Sequence, residues 1–599
     1  MCGIAGIIGN YKENQLLDML ASQQHRGPDA TGKYFDANFA ALGHNRLAII
    51  DLSTKSNQPF VDNSGRYIIV FNGEIYNYIE IKAVLQNQYV FKTESDTEVL
   101  LAAFIVYGKS FLEKLNGMFS FAIWDNQEKK LFAARDRFGV KPFYYSLLHN
   151  TFYFSSEIKA LHAAGIPKEA NEKVWASYFA YGSYGMPVDT FWEGIAQLPG
   201  GHFLSFSPQQ CRSEPVEDLT ITKWYCFEGE VDKQPKNLTF AQAKEHYVAL
   251  LKDSIKLRFR ADVPVGFNIS GGLDSSVLLA LVNLQENNNS NLRCNSEFLE
   301  EPIKDQQSLI NAYTFYTDNS EYDELPWVEQ MIAKTGNPLK KVLLQAVEVP
   351  DLARKMSWQQ DEPYGGIPTL AYAKIFEQAR KDGVLVLLDG QGMDEQWAGY
   401  DYYTQDNEAT IQGIQDSPFK TNMLSHSFMA KAGKPIYPKP FNNEVLNKQY
   451  RDLFYTKIPR ALRFNDRISM AFSTELREPF LDYRLVEFAF SLPLDFKIRK
   501  GQTKFMLREI ASEYLAADLV FAPKRPLQTP QREWLANDLK QWVNHCFEEL
   551  EKSSCSYWFD AVSLKRELQL YFEGNSQSSF HVWQCIGLFL TQPFQSSKL

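Results

Sequence analysis

Two kinds of periodicity divide the chain. Up to about residue 207, short apolar–polar alternations recur between turn residues, as in Tyr67–Phe71 ahead of Asn72-Gly73 and Leu131–Ala134 ahead of Arg135-Asp136. A period of two puts successive side chains on opposite faces of a strand, so residues 1–207 are expected to form a β-rich, layered domain. From Ser207 the pattern loosens into SPQQCRSEPVEDL and then GEVDKQPKN, rich in Pro, Gln and charge, which reads as a linker over 208–238. Helical spacing then takes over. Thr239 with Gln242 makes a capping box, and Tyr247, Leu250, Leu251 and Ile255 fall on one helix face. Strand and helix signals alternate beyond it: Val263–Ile269 then Ser275–Leu284, Ala312–Thr317 then Leu325–Thr335, Ala371–Lys381 then Val384–Leu388. Such alternation implies a parallel sheet with helices on both faces, so 239–599 is assigned to a second domain. The polar run Asn287–Asp305 reads as an exposed insertion within it.

Composition narrows the function classes. A chain of 599 residues with 45% hydrophobic and 22% charged side chains is globular and long enough for two cores. The net charge of −10, from 72 acidic against 62 basic residues well mixed along the chain, argues against nucleic acid as a partner. No apolar run approaches the roughly 18 residues of a membrane span, and MCGIAGIIGNYKEN lacks a basic leader, so a cytoplasmic protein is expected. The seven cysteines have spacings that suit neither a disulfide framework nor a paired metal site. Six of them, Cys211, Cys226, Cys294, Cys546, Cys555 and Cys585, are expected to be buried small hydrophobes or spectators.

Cys2 is the exception. Removal of the initiator methionine gives it both a thiol and an α-amine, and an amine titrating near 7.7–8.0 can take the thiol proton. After it come His25-Arg26-Gly27-Pro28-Asp29, Gly43-His44-Asn45-Arg46-Leu47-Ala48-Ile49-Ile50-Asp51, Phe71-Asn72-Gly73-Glu74-Ile75-Tyr76-Asn77 and Ser95-Asp96-Thr97-Glu98. In this order the set resembles the class II glutamine amidotransferase domain, an amino-terminal-nucleophile hydrolase with an αββα sandwich. The resemblance implies that Cys2 is the nucleophile, that the Asn72 amide and Gly73 N–H form an oxyanion hole, and that Glu74 lies in the pocket. It further implies that Arg46 pairs with the glutamine carboxylate and Asp96 with its ammonium, with Leu47, Ala48, Ile49 and Ile50 completing the glutamine site.

The second half carries a different chemistry. Val265–Ile269 runs into Ser270-Gly271-Gly272-Leu273-Asp274-Ser275-Ser276, a strand, a glycine-serine loop and a helix start in succession. Close backbone approach, hydroxyl donors and a helix amino terminus together make an anion cradle. It is not a Walker A loop, and Gly108-Lys109-Ser110, with Ala103 upstream, is not one either. A second strand enters Asp389-Gly390-Gln391-Gly392-Met393-Asp394-Glu395, which places both loops at the carboxyl edge of one sheet. There Asp274 and Asp394 are candidate Mg²⁺ ligands together with phosphate oxygens.

With Asp361-Glu362-Pro363, Asp466-Arg467-Ile468-Ser469-Met470, Glu475-Leu476-Arg477-Glu478-Pro479-Phe480-Leu481-Asp482 and Lys504-Phe505-Met506-Leu507-Arg508, this half resembles the synthetase domain of glutamine-hydrolysing asparagine synthetases. The resemblance implies a doubly wound adenylating domain with a helical carboxyl-terminal part, and hence a two-domain chain of α+β and α/β class. ATP is then a substrate, bound by Ile269, Ser270, Gly271, Gly272, Asp274, Ser275, Ser276, Thr317, Asp389 and Gly390. Lys504 would be the fixed cation of adenylation and amide formation. Gln391, Glu475 and Arg477 would position the acyl-adenylate, although Glu475 and Arg477 also read as an ion pair locking a core. A homodimer is a candidate assembly.

One loop departs from the family pattern Ser-Gly-Glu-Gly-x-Asp-Glu, having Asp389 for Ser and Gln391 for Glu. Gln391 cannot serve as a general base, though its amide can donate and accept hydrogen bonds. The leading expectation is amidation of aspartate with nitrogen from glutamine. Its rivals are the same chemistry on another carboxylate, such as a sugar acid or a peptide, a non-catalytic nucleotide-binding relative, and a stand-alone glutaminase.

Overall fold

The computed structural model describes residues 1–37, 39–208, 219–288, 310–405, 417–522, 529–575 and 578–591. In the first domain, period-two alternation builds two antiparallel six-stranded sheets. One has the strand order Ala196–Gln197, Tyr144–Leu148, Thr151–Ser155, Gly3–Ile8, Ala40–Arg46, Ala30–Asp36. The other runs Leu219–Lys223, His202–Phe206, Lys130–Arg135, Gly117–Asp125, Tyr67–Ile75, Phe60–Val61. Each sheet is covered on both faces. Ile4 and Ile8 pack with Ile68 and Val70 in the core between the sheets. Ala5 and Ile7 turn the other way, onto Leu16, Met19 and Leu161 of the first sheet's outer helices. Ile69, Phe71 and Ile75 likewise meet Val99, Leu100 and Ala103 of helix Asp96–Tyr107. The result is an αββα sandwich.

The stretch expected as a linker is partly regular. Leu219–Lys223 pairs antiparallel with His202–Phe206, and Phe227–Lys233 is a helix. Alternating Thr220, Ile221 and Thr222 suit an edge strand, a signal masked by the polar composition around them. The capping box at Thr239 opens helix Phe240–Arg258, as its spacing predicts.

The second domain holds a five-stranded, wholly parallel sheet ordered Leu339–Leu344, Ala312–Thr317, Val265–Asn268, Val386–Leu388, Glu475–Arg477. Its first strand in sequence lies at the centre and later strands add on either side, which makes the sheet doubly wound. Val386 and Leu388 face one core cluster and Leu387 faces the other, so helices cover both sides. The expected helices at 325–335 and 371–381 appear as Leu325–Thr335 and Ile367–Lys381. Most of the Asn287–Asp305 insertion lies outside the described residues. Beyond the sheet the chain is helical, ending with Lys540–Lys552, Ala561–Phe572 and Phe580–Thr591. Cys546, Cys555 and Cys585 are buried among these helices, Cys226 is exposed, and Cys211 and Cys294 fall outside the described residues. No described helix is long and apolar enough to cross a membrane.

Candidate functional site

The predicted glutaminase residues come from both sheets of the sandwich. Cys2 precedes strand Gly3–Ile8, whose partner Ala40–Arg46 ends at Arg46, while Asn72, Gly73 and Glu74 lie on Tyr67–Ile75 of the facing sheet. Cys2 N–H donates to Asn72 Oδ1 at 3.0 Å, and its Sγ lies 3.9 Å from the Leu47 carbonyl. Asn72 is fully buried, and its Nδ2 has no hydrogen-bond partner among the described residues. An amide donor buried beside a thiol is suited to an oxyanion, because leaving it unmet is costly. At Gly73 φ is +153°, and a Cβ would stand 2.1 Å from the Met118 carbonyl oxygen, so only glycine fits.

Arg46 holds the loop that follows it, donating to the Ser53 carbonyl at 2.7 Å, Asn57 Oδ1 at 2.8 Å and the Asp51 carbonyl. Asp29 accepts from Ala48 N–H at 2.8 Å, tying the Arg26–Asp29 motif to the Leu47–Ile50 segment. Asp96 accepts from Ile75 N–H at 2.9 Å. Burial, and then the nearby Glu475, push its carboxyl up to about 6, while two backbone N–H bonds act in the opposite sense. Burial likewise pushes the Cys2 thiol up against the downward pull of the amino terminus.

Glu475 and Arg477 are the unexpected members of this centre. They come from the last strand of the second domain's sheet, yet Glu475 Oε2 accepts from the Met1 amino group at 2.8 Å. Arg477 donates to Glu475 at 2.5 Å and approaches Glu74 at 3.8 Å. Burial alone would raise Glu475, but the amino terminus and Arg477 outweigh it and hold the carboxyl down at about 2. Neither side chain lines the cavity described next, so of the two expectations for this pair the structure displays the ion pair. Linear sequence could not reveal this, because the strand belongs to one domain and its side chains enter the other.

The two glycine loops leave adjacent parallel strands and share one cavity of about 810 Å³. Ser270, Gly271, Gly272, Asp274, Ser275, Asp389, Gly390, Gln391, Asp394 and Lys504 all line it. Ile269, Ser276 and Thr317 do not. Ile269 borders a smaller neighbouring cavity, the Ser276 hydroxyl donates to the Gly272 carbonyl at 2.9 Å, and Thr317 is buried. Gly271 N–H donates to a Glu324 carboxylate oxygen at 3.2 Å, so the loop backbone already grips an anionic group.

Lys504 sits at the focus of this cavity. Its Nζ is 2.7 Å from both oxygens of Asp274 and 2.7 Å from Asp394 Oδ1. Burial disfavours its charge, but the two carboxylates prevail and keep the ammonium protonated. The backbone is left-handed at Lys504, with φ of 56°, and at Ala398, with φ of 51°. A Cβ on Gly399 would lie 1.9 Å from Asp394 Oδ1 and 2.4 Å from Lys504 Cε. Backbone held in such regions persists only where surrounding packing imposes it. Sequence reasoning singled out neither Ala398 nor Gly399. Burial, aided by Asp274, raises Asp389 to about 6, although hydrogen bonds from Gly390 N–H and Asn268 oppose it. Glu395 rises to about 7 through burial and the adjacent Asp394.

Two carboxylates aimed at one point beside an anion cradle fit a Mg²⁺–phosphate site in kind. No group of three or more His, Cys, Asp or Glu placed for a metal occurs among the described residues. Gln391 borders the cavity a few residues from Lys504's partner Asp394. The aromatic far wall, with Tyr184, Phe419, Phe464 and Trp583, includes Tyr184 from the first domain.

Two family models match the chain. Residues 1–216 match the family described as glutamine amidotransferase domain, and residues 246–592 match the family described as asparagine synthase. Asparagine synthetase [glutamine-hydrolyzing] 1 of Bacillus subtilis is 27% identical, over 92% of this chain and 90% of its own length. Asparagine synthetase [glutamine-hydrolyzing] 3 of the same organism is 29% identical, over 91% and 89%. Amidase chry2 of Gibberella zeae is 27% identical, over 88% and 86%. With most of its length matched, and with a glutamine amidotransferase domain preceding the synthetase fold, the chain belongs to the asparagine synthase family.

Proposed function

We propose that the protein is a glutamine-dependent asparagine synthetase. Cys2, freed at its amino group by removal of Met1, attacks the glutamine side-chain amide. Asn72 and Gly73 stabilise the oxyanion, ammonia leaves, and water releases glutamate from the thioester. In the second domain the aspartate β-carboxylate attacks the α-phosphorus of ATP, forming β-aspartyl-AMP and expelling pyrophosphate. Ammonia then attacks the acyl carbon, giving asparagine and AMP. Lys504 offsets the charge that builds at phosphorus and later at the acyl oxygen. Asp274 and Asp394 would hold Mg²⁺, which would neutralise the departing pyrophosphate.

The observation that carries this reading is the convergence of both glycine loops and Lys504 on one cavity, apart from the buried Cys2–Asn72 pair. Ammonia must pass from one centre to the other, and free in neutral water it would mostly be protonated. Arg477 supports a sheltered route: its side chain meets Glu74 of the first centre, and its carbonyl accepts from Asp389 N–H of the second at 3.0 Å.

A second reading keeps the mechanism and changes the acceptor to another carboxylate, such as a sugar acid or a peptide. It is favoured by Gln391 beside the acyl position and by relatives named amidases. The deciding experiment measures pyrophosphate release with ATP, glutamine and a panel of acids. Aspartate-dependent release supports the first reading, and release only with uronic or peptidyl acids supports the second. ATP binding with no acceptor-dependent release would point to a non-catalytic relative.

A further inference from the structure

Helix Lys457–Met470 stands between the two centres and shows each a different face. Lys457, Arg460, Ala461 and Phe464, at spacings of three and four, line the nucleotide cavity together with Asn465. Arg463, Asp466 and Arg467 project from the other side, and each meets residues of the first domain. Arg463 lies over the Tyr184 ring and pairs at 3.0 Å with Glu362, which in turn accepts from Phe191 N–H at 2.9 Å. Arg467 packs over Tyr144 and pairs with Asp361 at 3.0 Å and Glu157 at 3.4 Å. The Asp361-Glu362-Pro363 and Asp466–Met470 motifs thus share one domain interface.

Asp466 has the most consequential partner. Both of its oxygens accept from the Arg26 guanidinium, at 2.9 and 3.3 Å, in a two-pronged fork. Arg26 is fully buried, and the Nε of the same guanidinium donates to the Cys2 carbonyl at 3.0 Å. The proposed nucleophile is therefore anchored through one arginine to a carboxylate of the other domain. Glu157 also accepts from Arg26, at 2.9 Å, but it is shared with His25, Lys159 and Arg467.

We propose that Asp466 is a positioning residue for the glutaminase centre: through Arg26 it fixes the Cys2 backbone, so that the second domain completes the first domain's active site. The proposal rests on the two-centre reading given above. Because Asp466 is the neighbour of Asn465 and Phe464 on one helix, the cavity wall and the nucleophile are held by one element.

The test compares full-length Asp466→Asn and Asp466→Glu with the wild type. It measures glutamine hydrolysis, ammonia-driven pyrophosphate release, and the rate of Cys2 alkylation by iodoacetamide followed by peptide mass mapping. Asp466→Asn is expected to lower kcat for glutamine hydrolysis roughly ten- to a hundredfold through misplacement of the nucleophile. The KM for glutamine should change little, the Cys2 alkylation rate should change, and the ammonia-driven reaction should be retained. Asp466→Glu keeps the charge and is expected to recover much of the glutamine-driven rate. Unaltered hydrolysis and alkylation in Asp466→Asn would overturn the proposal. So would a parallel fall of the glutamine- and ammonia-driven reactions in both variants, which marks a merely structural role. A wild type that does not hydrolyse glutamine would count against the two-centre reading instead, and the alkylation rates would still judge Asp466.

Discussion

The two centres hold their charges in opposite ways. Around Cys2, Glu74, Asp96 and Glu475 are packed with the Met1 ammonium and Arg477 in a site almost closed to solvent, and Asn72 keeps a buried donor unmet among the described residues. Around Lys504, Asp274 and Asp394 neutralise the ammonium from two sides at the bottom of a cavity of about 810 Å³. On the proposed function the first arrangement receives a small zwitterion, glutamine, with Asn72 and Gly73 as its oxyanion donors. On the same reading the second would receive a polyphosphate, whose negative charge would redistribute a cation now shared by two carboxylates. On that reading the glutaminase centre is completed by loss of Met1, and the nucleotide centre exchanges ion-pair partners when its substrate binds.

The strongest way to break the comparison is to disable each centre alone. Cys2→Ala is expected to reduce glutamine-driven amidation by on the order of 10⁴-fold or more, the scale seen when a nucleophile is removed. Ammonia-driven amidation should survive. Parallel assays with glutamine and with ammonium salts check this, and loss of both reactions would mean that the centres are not separable.

Lys504→Met should give the mirror image, lowering pyrophosphate release with either nitrogen source by about 10²–10³-fold, as for other electrostatic stabilisers. Glutamine hydrolysis measured as glutamate release should continue. If ammonia-driven turnover survived the change, Lys504 would be a structural partner of Asp274 and Asp394 only.

Much of this was legible in the sequence because the motifs are local. A strand, a glycine-serine loop and a helix start in succession predict an anion cradle wherever the sheet lies, and Cys2 and Asn72, which the resemblance groups together, meet in a hydrogen bond of 3.0 Å. The β-rich layering was legible in alternation such as Tyr67–Phe71 and Leu131–Ala134 and the αββα order in the family resemblance, whereas Ile4, Ala5, Ile7 and Ile8, a plain apolar run in the sequence, divide between two cores only in the fold. What stayed hidden depends on contacts between distant segments. Glu475 meets Met1 across 474 positions, and Arg26 meets Asp466 across 440. Gly399 is tied to its site by the space that its missing side chain leaves and by its own N–H, which donates to the Asp394 carbonyl at 2.8 Å.

That space gives the third prediction. Gly399→Ala would put a methyl group where Asp394 Oδ1 and Lys504 Cε now stand, forcing the lysine and its carboxylates apart. A displacement of this kind is expected to lower adenylation by about tenfold to a hundredfold. Glutamine hydrolysis should be unaffected, and comparing the two rates in one preparation checks it. Unchanged adenylation would show that the three charged groups need not meet as they do here.

The smallest effect concerns a cation that stands without a carboxylate among the described residues. Lys497 is fully buried, over the Phe490 ring at 4.9 Å and 3.4 Å from Gln449 Oε1. Gln449 in turn donates to the Glu395 and Gln396 carbonyls behind the second glycine loop. Burial pushes the amine down to about 7. Its folded value is thus below its unfolded one, and between about 7 and 10.5 the unfolded chain binds more protons than the folded chain. Stability from this group therefore rises with pH through that window and is lowest below it, the reverse of a lysine that gains a partner. Lys497→Met removes the desolvated charge while keeping apolar volume, and should stabilise the protein by roughly 1–2 kcal/mol near neutral pH. The gain should shrink as pH approaches 10. Denaturant unfolding of both proteins at several pH values measures the difference. A gain that does not change with pH would mean that Lys497 is not the group responsible.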